Sequence, residues 1–205
     1  MVSKAIPDIV VGRLPLYLRA LSFLAAEGRQ VTSSQELGQK LGISAAQIRK
    51  DLSHFGEFGK QGTGYDIKYL SEQLRRILKV TEEHEVALVG AGDLGHALVH
   101  YDGFAGKGFR ISVVFDNNPQ KIGRRLGPFE ILDSESIETV IADRGIEVAI
   151  VAVPVSAAQE VVDTLVRAGV KAILNYAPIT VKVPGGVQVQ YIDPVIHLQR
   201  MAYYL

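Results

Sequence analysis

Apolar positions along this chain follow a helical period up to about residue 80 and then give way to short apolar runs alternating with helical stretches. Residues 14–26 are rich in leucine and alanine at helical spacing. Pro15 suits the first turn of that helix, because proline has no N–H to give a helix interior, and Gly28 ends it. Ser33-Ser34-Gln35-Glu36 and Ser44-Ala45-Ala46-Gln47 each carry the Ser-x-x-Glu/Gln spacing of a capping box. Two short helices are therefore predicted in quick succession, joined at Leu41-Gly42-Ile43. In the second, Ile48, Leu52 and Phe55 are spaced to face a core, which leaves Ser44, Gln47, Arg49, Lys50, Asp51 and His54 on or beside the outer surface. Residues 57–65 read as two short strands about a glycine-rich tip, and 66–80 as a further helix carrying Ile67, Leu70, Leu74, Ile77 and Leu78. The boundary is predicted at Thr81-Glu82-Glu83-His84.

Beyond it, apolar runs at 86–89, 111–115, 148–153, 172–174 and 187–192 alternate with helical patterns at 94–101, 136–144 and 157–168. That alternation predicts a parallel sheet covered on both faces. The chain closes on a helix over 194–205 whose apolar positions recur at three and four, so this helix has to pack against something. The predicted class is α/β: a winged helix-turn-helix over 1–80, a Rossmann-type doubly wound sheet over 85–193, and a C-terminal helix over 194–205.

Two capped helices joined by a glycine turn and followed by a wing form the arrangement whose second helix enters the DNA major groove. The candidate DNA contacts are Ser44, Gln47, Arg49, Lys50 and His54 on that helix, and Lys60, Gly62 and Thr63 on the wing. Gln bonds two atoms of an adenine edge, Lys reaches guanine or phosphate, and a serine at a helix start bonds phosphate. A small helical bundle with a solvated polar face is the plainer alternative. Charge sharpens the choice. The chain is neutral overall, yet residues 1–80 carry 12 Lys+Arg against 7 Asp+Glu, a net of +5, and the remainder 10 against 15, a net of −5. A basic first part is what phosphate contacts need.

The second motif is Gly90-Ala91-Gly92-Asp93-Leu94-Gly95, after the run Val86-Ala87-Leu88-Val89, with Asp116 closing the next run 21 positions after Gly95. Its glycines have separate tasks: a tight turn, close approach to a pyrophosphate, and close helix–strand packing. Asp116 accepts ribose hydroxyls and repels a 2′-phosphate, which favours NAD(H); Lys121, Arg124 and Arg125 keep NADP(H) open. His96 and His100 lie four apart, without the acidic partner of a zinc-protease motif, so no metal is expected. Pro154-Val155-Ser156 and Asn175-Tyr176-Ala177-Pro178 follow strands, and turn chemistry accounts for them as well as ligand contact does.

With 205 residues and 47% apolar content the chain has material for two small cores. There is no run of about 18 uninterrupted apolar residues, and Met1-Val2-Ser3-Lys4-Ala5-Ile6-Pro7 lacks a signal core. The absence of cysteine removes disulfides and thiol catalysis, and agrees with a cytoplasmic location. The dinucleotide module fills almost everything after residue 84, leaving no room for a substrate domain, and no lysine–tyrosine or histidine–acid arrangement stands out. A regulator is expected, with a small NAD-dependent oxidoreductase carrying an N-terminal dimerisation bundle as the alternative. A third reading keeps the DNA-binding head but gives the sheet another nucleotide, such as coenzyme A or NADP(H).

Residues 13–19 (Arg-Leu-Pro-Leu-Tyr-Leu-Arg), 44–56, 59–65 (Gly-Lys-Gln-Gly-Thr-Gly-Tyr), the glycine fingerprint and Asn175-Tyr176-Ala177-Pro178 together resemble the Rex family of bacterial redox-sensing transcriptional repressors. The similarity runs through nearly the whole chain. One departure is Asp93, where many relatives carry a neutral residue. The resemblance implies a homodimer that binds a palindromic operator when NADH is scarce and leaves it when NADH binds. It further implies that Tyr101 approaches the nicotinamide, that Asp193 changes partner between Arg13 and the tyrosine, and that the C-terminal helix is exchanged between subunits.

Overall fold

Leu14, Tyr17, Leu21 and Leu24 fall on one stripe of a helix and are completely buried, and the first core is built around them. The computed structural model describes residues 6–60 and 62–205 and divides into two compact units between Glu82 and Glu83. The first contains α1 (Asp8–Val11), α2 (Leu14–Ala26), β1 (Val31–Thr32), α3 (Ser34–Leu41), α4 (Ala45–Ser53), β2 (Gly59–Lys60), β3 (Gly64–Asp66) and α5 (Ile67–Ile77). Leu37 of α3, Ile48 and Leu52 of α4, and Leu70 and Leu74 of α5 close on the α2 stripe. Full burial of each such side chain stabilises the unit by about 1.5–3 kcal/mol. By length and composition the stretch Asp8–Ala26 is apolar enough to cross a membrane, yet its buried stripe is the centre of this core.

The wing is larger than the sequence pattern predicts. β3 pairs antiparallel with β2 and also with β1, through Val31↔Asp66 and Thr32↔Tyr65, giving the strand order β1-β3-β2. At two residues β1 is too short to register as a periodic signal.

The second unit comprises β4 (His84–Val89), α6 (Asp93–Val99), β5 (Phe109–Asp116), β6 (Arg125–Leu126), β7 (Phe129–Asp133), α7 (Ile137–Arg144), β8 (Val148–Val151), α8 (Val155–Arg167), β9 (Ala172–Asn175), β10 (Gln188–Tyr191) and α9 (Pro194–Ala202). Its strands form one sheet in the order β10-β9-β8-β4-β5-β7-β6, parallel except for the hairpin of β6 with β7. Both faces are covered. Ala87, Val89, Val113, Phe115, Ala149 and Val151 pack on one side; Val86, Leu88, Ile111, Val114 and Ile150 pack on the other.

Strict alternation in β5 would put Ile111 and Val113 on the same face. Ser112 is an extra residue where the β4–β5 register shifts, since Val86 pairs with Ile111 and Ala87 with Val113. The bulge resets the phase, and every apolar residue from Val113 to Phe115 finds a core. The chain moves outward from β4 through β5 to β7, then returns to β8 on the other side of β4. The carboxyl ends of β4 and β8 therefore flank the crevice in which doubly wound sheets bind ligands.

Candidate nucleic-acid interface and dinucleotide cleft

The turn between α3 and α4 depends on two glycines. Gly42 ends α3 in the left-handed conformation, with φ of +67°, which costs a glycine nothing. Gly38, within α3, lies so close to the turn that a Cβ there would sit 2.3 Å from the carbonyl oxygen of Ile43. Any side chain at 38 would push the second helix off the first. Ser33 Oγ accepts from the Glu36 amide at 3.1 Å and Ser44 Oγ from the Gln47 amide at 3.2 Å, so both predicted caps form. The returning half of each capping box has another use: the Glu36 carboxylate takes Thr32 and Arg29, and Gln47 takes Asp51.

Asp51 corrects the sequence reading. Expected on or beside the outer surface, it is fully buried. Its Oδ2 accepts from Arg13 Nε at 2.6 Å and Tyr17 Oη at 2.5 Å, and its Oδ1 from Arg13 Nη2 at 2.7 Å and Gln47 Nε2 at 2.6 Å. Burial alone would raise the carboxyl pKa, but the bonds from Arg13, Tyr17 and Gln47 outweigh it and hold the group below the usual carboxylate range. Hydrogen bonding to Asp51 raises the Arg13 pKa, and burial, then the carboxylate, raises that of Tyr17. The signal was present in the sequence: Ile48, Asp51, Leu52 and Phe55 are themselves an i, i+3, i+4, i+7 stripe, and the charge of Asp51 obscured its place on it.

The other predicted residues of α4 lie outside. Ser44, Arg49, Lys50 and His54 are exposed, Gln47 is half-buried, and His54 terminates the helix. Arg49 Nη1 donates to Ser34 Oγ at 2.9 Å, and the two line a groove with Gly59, Gly62, Gly64 and Tyr65 of the wing. Burial raises the Tyr65 pKa, against the opposing charge of Arg49. Gly62 and Thr63 are exposed at the wing tip. Lys60 lies on β2, but its side chain and all of Gln61 fall outside the described residues.

In the second unit, β4 runs into Gly90, whose φ is +105°. A Cβ on Gly95 would stand 2.0 Å from the Gly90 carbonyl oxygen, whereas one on Gly92 would meet nothing within 4 Å. The first and third fingerprint glycines are thus fixed by packing, and the second borders open space that suits a pyrophosphate. Ala91 is buried; Asp93 and Leu94 are exposed in the first turn of α6. Asp116 Oδ2 accepts from the Ala91 amide at 2.7 Å and from Lys121 Nζ at 3.3 Å, while Oδ1 accepts from the Asn118 amide at 2.8 Å. Burial pushes its pKa up, but these donors prevail and keep it low, so the group is an anion at neutral pH. A cleft of about 720 Å³, within the range of ligand sites, is lined by Gly90, Gly92, Asp116, Val153, Pro154 and Ser156 among others.

Of the remaining candidates, Tyr101 is 60% exposed, with its ring edge-on to Phe104 at 5.3 Å. Tyr176, unassigned from the sequence, has its pKa raised by burial and then by the charge of Tyr101. Asn175 is fully buried, and both ends of its amide hold the turn to Ala177 and Ile179, which is turn chemistry. Asp193 caps α9 through the Val195 amide at 2.9 Å. Within the second unit α9 buries no residue, and Ile196, Leu198, Met201 and Tyr204 are all more than half exposed. His100 Nδ1 lies 2.8 Å from the His96 carbonyl oxygen. Among the described residues no three metal-ligating side chains converge.

Comparison with known proteins assigns both units. Residues 5–53 match a family described as a putative DNA-binding protein N-terminus, and residues 81–179 match a CoA binding domain. The redox-sensing transcriptional repressor Rex of Roseiflexus sp. (strain RS-1) is 53% identical over 199 residues, 97% of this chain and 90% of the relative. Among solved structures, RSP in complex with β-NAD⁺ and operator DNA aligns with a TM-score of 0.92 at 38% identity, covering 98% of this chain and 93% of that one. RSP in complex with β-NADH aligns at 0.89 and 36% identity, covering 98% and 94%.

Proposed function

This chain belongs to the Rex family of redox-sensing transcriptional repressors, and on that premise we propose that it binds a palindromic operator as a homodimer and releases it when NADH binds. The observation that carries this reading is the match, over nearly the full length of both chains, to a repressor solved with β-NAD⁺ and operator DNA. An oxidoreductase has no comparable support: the curated relatives are repressors. Work on operator DNA places the protein inside the cell, and we assign it to the cytoplasm.

We assign residues 1–80 to operator binding, 85–193 to the cofactor and 194–205 to subunit exchange. On α4, Gln47, Lys50 and His54 face the groove, with Ser44 and Arg49 toward the backbone; Lys60, Gly62 and Thr63 of the wing complete the contacts. Gly90, Ala91, Gly92, Asp93, Leu94 and Gly95 form the turn for the pyrophosphate, and Asp116 accepts the ribose hydroxyls. Coenzyme A and NADP(H) both carry a phosphate on the adenosine ribose, which an anionic Asp116 opposes. The reduced nicotinamide is neutral and the oxidised one cationic, so a closed apolar site prefers NADH, and we assign Tyr101, exposed in this structure, to the nicotinamide. Arg13, Tyr101 and Asp193 form the switch. The uncovered apolar face of α9 is what an exchanged helix requires, and its occupant is the partner subunit.

Each cofactor form shifts the dimer only by its differential affinity for the released state. Half-sites have to lie about one helical turn, or a whole number of turns, apart. A modest change of angle between subunits therefore takes one α4 out of its groove. The test is twofold. The protein should select a palindromic duplex from a random library, and should bind NADH without consuming it in the presence of carbonyl compounds. Steady NADH oxidation with no selected duplex would favour the oxidoreductase.

A further inference from the structure

Asp51 is fully buried and has four donors, one for each of the roughly four lone-pair sites of its carboxylate. Arg13 alone supplies a bidentate, charge-matched partner, with Nε on Oδ2 and Nη2 on Oδ1, and Tyr17 Oη adds a third donor. The fourth donor is Gln47 Nε2, one helical turn earlier on α4 and 2.6 Å from Oδ1. Gln47 is half-buried on a helix whose neighbouring Lys50 and His54 are exposed, so its amide spans the core and the outer face.

The direction of that amide follows from chemistry. An ionised carboxylate only accepts hydrogen bonds, so Gln47 has to turn its nitrogen toward Asp51. Its single acceptor, Oε1, and its second N–H are not used in this bond. A free glutamine carboxamide turns about a broad, two-fold χ3 and offers its donor and acceptor in either order. An anchored one offers a single order. Adenine presents an N6 amino donor beside an N7 acceptor in the major groove, which is the complement of one glutamine acceptor beside one N–H.

We propose that Asp51 is a positioning residue that fixes the Gln47 carboxamide to read one adenine in each operator half-site. The inference rests on the operator-binding reading of α4 given above. Oδ1 of Asp51 is shared by Gln47 and Arg13, so a change at Arg13 reaches the reading side chain through one atom. The role is distinct from stability, because it acts on the choice of base rather than on affinity for DNA at large.

The experiment takes a palindromic duplex selected by the wild-type protein and replaces each base pair in turn, symmetrically in both half-sites, at fixed salt. For the wild type, one A·T pair per half-site should be preferred over G·C by about 5- to 150-fold. In Gln47→Ala the preference at that pair should fall to near one, while preferences elsewhere persist. In Asp51→Asn an amide faces an amide, so the preference at the same pair should shrink or pass to G·C. Unchanged discrimination at every pair in Gln47→Ala would overturn the proposal. So would a folded Asp51→Asn variant with full discrimination. Should Asp51→Asn fail to fold, the side-chain amide signals of Gln47 in the wild type decide. A side-chain N–H resonance shifted downfield and protected from exchange with solvent is expected; two rapidly exchanging N–H resonances at free-amide positions would overturn the anchoring. Failure to select any duplex would instead remove the operator reading, and this inference with it.

Discussion

Replacing Arg13 by methionine should strongly destabilise the first unit, because it leaves a carboxylate buried without its counter-charge. Asp51 is completely inaccessible and Arg13 largely covered, with side-chain exposures of 0% and 19%. Arg13→Met removes the 2.6 and 2.7 Å bonds and leaves only the neutral donors of Tyr17 and Gln47. Breaking a buried pair in this way costs about 3–5 kcal/mol. For a unit of this size that corresponds to a fall in melting temperature of more than about 10 °C. Calorimetry or circular dichroism measures it, and the pH dependence identifies its cause. In the wild type the folded pKa of Asp51 is depressed. Its contribution is therefore present above the unfolded value of about 3.9 and is lost as pH falls through the folded pKa. In Arg13→Met the unpartnered carboxyl is raised instead, so the variant loses stability as pH rises. The gap between the two proteins should be widest near neutrality and narrow toward about pH 4. Adding Asp51→Leu to Arg13→Met should recover much of the loss. A penalty below about 1 kcal/mol, or one constant between about pH 4 and 7, would mean that the Arg13–Asp51 pair contributes no more than an exposed one.

Three further predictions concern the two sites. Lys50→Ala should weaken operator binding roughly equally across sequences and lower the salt slope by about 1, read from binding at several salt concentrations; an unchanged slope counts against α4 as the reader. Asp116→Ala should weaken NADH binding, measured by fluorescence titration, while operator binding by the ligand-free protein persists, and loss of both would point to misfolding. Gly95→Ala places a Cβ against the Gly90 carbonyl, and should cost about 1–3 kcal/mol of stability and most of the NADH response; a wild-type response would show that α6 has room to move.

Helices and caps were legible in the sequence because they are local. Ser33 and Ser44 sit where their spacing put them, and the apolar stripe of α2 is the stripe of the core. What escaped was tertiary. The wing's third strand, β1, exists only by pairing with β3. β7 reads Phe-Glu-Ile-Leu-Asp, too brief an alternation to stand out, and becomes a strand by lying beside β5. Ser112 shows up only as a broken phase in β5, which pairing with β4 explains. The fingerprint is readable residue by residue, whereas the Asx turn in which Asp116 accepts from the Asn118 amide competes in the sequence with the ribose-binding role of the same carboxylate. Gly38 carried no signal at all, since the close approach it permits is to a carbonyl five residues further on. Asp51 lies on an apolar stripe, where a charge means a buried partner, and that partner, Arg13, is 38 residues away in the sequence.

Whether one chain reads both DNA and the reduction state of its cofactor is decided by titrating NADH and, separately, NAD⁺ into the complex of the protein with its selected palindromic duplex at fixed salt. Release by NADH, with NAD⁺ leaving the complex intact at the same concentration, is the predicted result. A complex equally indifferent to both forms, or dissociated equally by both, would contradict it.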